Sequence, residues 1–96
     1  MQDTLNVYAV VLNTEYDGPG DNIAIEIDEN IAIKRASDCI RKQIEEYGEK
    51  FIKDLNPMAP ERCKIIHKWD SEAGYRSVFI EKWKVKKAKE ILEEEP

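Results

Sequence analysis

Ninety-six residues, 42% hydrophobic and 36% charged with a mean hydropathy of -0.63, suffice for one domain and are too polar for a membrane protein. The longest apolar run, Val7 to Leu12, is far short of a bilayer span, and no basic stretch leads into an apolar one at the N-terminus, so a soluble, cytoplasmic protein is expected. Two cysteines without paired spacing do not look like a secreted disulfide framework and are read as reduced.

Residues 5–13 read as a strand, since Val7, Tyr8, Val10 and Val11 are strand-favouring types. Both of its faces are apolar, Leu5, Val7, Ala9 and Val11 on one and Tyr8, Val10 and Leu12 on the other, which predicts a central strand covered on both sides. A turn-rich stretch with Asp17, Gly18, Pro19, Gly20 and Asp21 leads to a second strand over 23–28, with Ile23, Ile25 and Ile27 inward and Ala24, Glu26 and Asp28 outward.

A helix is predicted over 29–55, because Ile33, Ala36, Ile40, Ile44, Tyr47, Phe51 and Leu55 recur at steps of three and four. Asp28 suits the N-cap and Glu29 the first turn. A rival reading pairs Ile23-Ala24-Ile25 with Ile31-Ala32-Ile33 as a hairpin and starts the helix at Ser37. Gly48 costs about 1 kcal/mol inside a helix, so the last two turns are expected to be kinked or separate, and Asn56-Pro57 and Pro60 end the element.

Strands follow over 63–69 and 75–85, turning between Asp70 and Gly74. The first carries Cys63, Ile65, His67 and Trp69 on one face; the second carries Phe79, Trp83 and Val85 on one and Val78 and Ile80 on the other. A short helix is expected over 86–94, with lysines at its start and glutamates at its end, opposed to the macrodipole. The expected fold is therefore α+β: one domain over 1–96 with an antiparallel four-stranded sheet (ββαββ), a long helix on one face and a short C-terminal helix.

This order, with Val7 to Gly18 running into an acidic turn, Ile27-Asp28-Glu29 leading into an Ala/Ile helix, and a closing Ile80-Glu81-Lys82-Trp83-Lys84-Val85 strand, resembles small phage- and prophage-encoded ββαββ proteins. The resemblance implies an antiparallel sheet with one helix across it and supplies no catalytic residue. Some small acidic phage proteins inhibit host defence enzymes by occupying nucleic-acid sites, and this chain is similar to them in size and charge.

No arrangement for catalysis or metal binding is legible. Cys63 and His67, four residues apart on a strand, are separated by about 13 Å, too far for a shared proton or ion, and adding Cys39 makes only a partial zinc set. Asn13, Glu15, Asp17 and Gly18 echo a calcium loop, but Ala24 stands where the bidentate glutamate belongs. Gly18-Pro19-Gly20 lacks the lysine of a phosphate loop. No enzyme activity, metal or cofactor is expected.

Charge is divided along the chain. Residues 1–33 hold seven acids and no base, whereas residues 62–89 hold nine bases and three acids. Glu15, Asp17, Asp21, Glu26, Asp28 and Glu29 make a candidate acidic surface for a basic, nucleic-acid-binding site on a host protein. Lys64, Lys68, Arg76, Lys82, Lys84 and Lys86, interleaved with Trp69, Tyr75, Phe79 and Trp83, make the alternative, a nucleic-acid-binding hairpin. The expectation is a non-enzymatic protein-interaction module, an inhibitor by resemblance, as a monomer or a homodimer.

Overall fold

Alternation along each strand decides which side of a sheet is buried, and here the sheet presents a different chemistry on each side. The structure, a computed structural model, describes residues 4–14, 20–59 and 63–86. In chain order the elements are β1 (Thr4–Asn13), β2 (Asp21–Glu26), α1 (Glu29–Tyr47), β3 (Phe51–Lys53), β4 (Lys64–Ser71) and β5 (Ser77–Lys86). The strands form one antiparallel sheet in the order β2-β1-β5-β4-β3. Helix α1 crosses one face, burying Tyr8, Val10, Val78 and Ile80 against Ala32 and Ala36, with Leu12, Ala24, Phe51, Ile66 and Trp69 packed around them.

The helix starts where the early reading put it. The Asp28 carboxylate accepts from the amides of Asn30 at 2.8 Å and Ile31 at 3.3 Å, taking up donors that a helix start leaves free. Its C-terminal end corrects the expectation of a helix to residue 55. Gly48, at φ 70°, is a left-handed cap whose amide donates to the Ile44 carbonyl at 2.8 Å, so the glycine closes the helix instead of kinking it. Freed from the helix, Phe51–Lys53 becomes β3 and pairs with β4, placing Phe51 opposite Ser71.

The sheet therefore has five strands, not four, and the expected ββαββ order is corrected accordingly. Lys86 is the last residue of β5, and the rest of the expected helix over 86–94 lies outside the described residues. The apolar stripe of α1 is also rotated from its expected line. Ala32, Ala36 and Gln43 are buried, whereas Ile44 and Tyr47 are exposed. Alanines sit where the helix backbone comes nearest the sheet, and larger side chains flank that contact.

Strand β2 is turned over relative to its expected orientation. Ala24 packs on the core and Ile25, opposite Ala9, points to the far side, 63% exposed; Ile27 lies beyond the strand at 71%. A register shift in the β1–β2 ladder between Val10 and Val11 breaks the simple alternation, so Ile23 lies near Leu12 along the flank of α1. A second irregularity, between Ile65 and His67, splits the expected single face of β4: Ile65 pairs with Glu81 and His67 with Ile80.

Candidate interaction surfaces

Three of the six carboxylates proposed for the acidic surface have tasks inside the fold. Asp28 caps α1, the Glu26 carboxylate meets Arg35 at 3.4 Å, and Glu29 stands 3.7 Å from His67. Asp21 is exposed at the opposite end of β2 from Glu26. Glu15 and Asp17 lie outside the described residues.

The basic candidates divide into two groups. Arg76 stacks over the Tyr47 ring at 3.7 Å from its centroid and reaches Glu49 at 3.2 Å, tying the β4–β5 turn to the end of α1. Lys68 lies between Asp54 at 3.9 Å and Asp70 at 3.7 Å. By contrast Lys64, Lys82 and Lys84 share the helix side of the sheet, with Lys64 opposite Lys82, and make no ion pair among the described residues. Phe79 and Trp83 lie on the other side, and Trp69 stacks on His67 with ring centroids 5.9 Å apart. The pleat thus parts Lys82 and Lys84 from Phe79 and Trp83, whereas Trp69 shares the helix side with those lysines and Lys68 lies opposite Phe79 on the other. For Lys86 only the backbone pairing with Thr4 is described.

A flanking groove of about 460 Å³ runs between α1 and the β1–β2 edge, with Leu12, Ile23, Cys39 and Lys42 among its walls. Burial pushes the Cys39 thiol up, with Lys42 pulling the other way, so at neutral pH it stays protonated and a poor nucleophile. Cys63 donates to Glu81 at 3.3 Å. No group of three or more His, Cys, Asp or Glu side chains with metal-binding geometry occurs among the described residues. None of the described helices is long and apolar enough to cross a membrane.

The side of the sheet away from α1 is the surface that the sequence reading missed. Central strands β1 and β5 place Leu5 opposite Val85, Val7 opposite Trp83, Ala9 opposite Glu81 and Val11 opposite Phe79 there. Ile25 on β2, Ile65 on β4 and Ile52 on β3 extend it outward, with Ile25 63% and Ile52 60% exposed. Helix α1, the only helix among the described residues, lies on the opposite side. In the middle of this apolar field Glu81 is 8% exposed and accepts from the Trp83 indole at 3.4 Å as well as from Cys63. The signal was present in the two-sided apolarity of β1, which was read as a strand covered on both faces. Burial at the centre of the strand agrees with that reading: Tyr8 and Val10 lie under α1, and Ala9 and Val11 on the other side are 6% and 2% exposed, while Leu5 at its start is 45% exposed. No family model, no curated protein and no solved structure matches this chain.

Proposed function

We propose that this protein acts by binding another protein, without chemistry of its own, and that the exposed apolar side chains on the side of its sheet away from α1 are the binding surface. The observation that carries the reading is the group of exposed apolar side chains Leu5, Ile25 and Val85, with half-buried Val7 and Trp83 between them, on the side of the sheet away from α1; Ile52 stands exposed at the opposite corner of the same side. Contiguous exposed apolar surface of this kind marks interaction sites in small domains, because leaving it in water costs roughly 25 cal/mol per Å². An inhibitor of a host defence protein, the expectation from the resemblance, is one member of this class.

The electrostatic version, an acidic edge set against a basic groove, has less support, since Glu26, Asp28 and Glu29 already have intramolecular partners. Affinity capture from the native host separates the two versions. An apolar contact predicts capture that withstands added salt and falls about tenfold or more when Ile25 and Ile52 are both changed to lysine. Capture that collapses in salt and ignores those substitutions overturns the assignment of these exposed apolar side chains.

A further inference from the structure

We infer that the groove between α1 and the β1–β2 edge is a second binding site, which takes the C-terminal end of a peptide whose last side chain is aliphatic. It lies on the helix side of the sheet, apart from the apolar side chains assigned above, so it goes beyond that reading and does not depend on it. An unpartnered atom is the first argument. Gln43 lines the groove and is 9% exposed, and its Oε1 is buried without a hydrogen-bond partner. Such an acceptor costs the fold free energy that a leucine of similar size would not. The last torsion of a glutamine turns easily, so this oxygen can meet a donor seated in the groove. It asks for an N–H or an O–H.

Charge supplies the second feature. Of the cations along the groove, Arg35 is engaged by Glu26 at 3.4 Å and Arg41 by Asp38 at 2.9 Å. Lys42 also lines it, beside Gln43, and makes no ion pair among the described residues. An anion for Lys42 and an N–H for Gln43 are therefore wanted side by side, which is how the terminal carboxylate and the amide of a peptide's last residue stand. Glu46, one helical turn beyond Lys42, repels a carboxylate and accepts an N–H, so the ligand's carboxylate lies toward Arg35 and its chain runs toward Glu46. Between β1 and β2 the wall offers half-buried Leu12 and Ile23, 41% exposed, as the seat for an aliphatic side chain. No aromatic ring lines the groove, so it has no platform for a nucleobase. A volume of about 460 Å³ is that of a small-ligand site.

The test is a titration of the nitrogen-15-labelled full chain with acetyl-Ala-Ala-Leu carrying a free C-terminus, followed by amide chemical shifts. Saturable shifts are expected at Cys39, Lys42 and Gln43, with a Kd of about 0.1–1 mM for so small a ligand. The same peptide with a C-terminal carboxamide should bind about tenfold more weakly, and so should the free-acid peptide to Lys42→Ala. Gln43→Leu should weaken binding about tenfold while the urea midpoint holds or rises, since leucine leaves no acceptor unmade. Changing Ile25 and Ile52 together to lysine should leave this binding intact, which keeps the test separate from the capture experiment. No saturable shift up to about 10 mM peptide overturns the site. So does binding indifferent to Gln43→Leu, or acetate binding as tightly as the peptide, which would mark an anion site only. A urea midpoint lowered by Gln43→Leu would show that this glutamine serves the fold, and that also overturns its assignment to a ligand.

Discussion

Gly20, at φ 80°, leads the chain into β2 in a conformation that side chains resist, and a Cβ there would lie 2.8 Å from Val11 Cγ1 and 3.3 Å from the Leu12 carbonyl oxygen. Val11 is 2% exposed and has no room to yield. Gly20→Ala should therefore cost about 2–4 kcal/mol, from left-handed backbone strain and overpacking together. The urea midpoint reads this directly, and a loss below about 0.5 kcal/mol would show that the Gly20 backbone does not press on Val11. Arg76 teaches a related lesson, because its charge looked free for a ligand and is instead held by Tyr47 and Glu49. Spacing along a chain counts charges but does not show which of them already have partners.

Among the elements, α1 shows how one residue can be read correctly in place and wrongly in purpose. Asp28 belongs both to the candidate acidic surface and to the N-cap, and its carboxylate geometry is that of a cap. Asp28→Ala should lower stability by about 1 kcal/mol, whereas Asp28→Ser, which keeps a capping oxygen without the charge, should stay within a few tenths of the wild type. If serine proves as damaging as alanine in chemical denaturation, the charge and not the cap is what matters. Gly48 is the complementary case: counted as a costly interior residue, it is the left-handed stop that lets the following segment become β3. Helical spacing ran past it because Phe51 and Leu55 happen to continue the phase.

For the whole molecule, the central ladder joins β1 to β5, from Thr4 opposite Lys86 to Asn13 opposite Ser77, so the strand nearest the N-terminus waits for the last strand described. Closing so long a loop before its contacts form is slow. Refolding is expected on the millisecond-to-second scale in stopped-flow fluorescence, with Val10→Ala slowing it; completion well within about 1 ms would show that local elements set the rate. The same ladder keeps the acidic β1–β2 pair on one side and the basic β4–β5 pair on the other, as the segmental charges suggest. Individual ion pairs then consume much of that contrast.

Local chemistry alone determined the α+β class, the β1 span to within a residue, the start of α1 at its aspartate cap, and the turn after Asp70, because propensity, capping and turn conformations act over a few residues. Tertiary structure decided the fifth strand, the side to which β2 turns its isoleucines, and the occupation of Glu26, Glu29, Lys68 and Arg76 by intramolecular partners. It also decided that the helix covers only one of the two apolar faces of β1. A one-residue irregularity in a ladder reverses which side chains face the helix, and neither register nor the partner strand is written within any single segment.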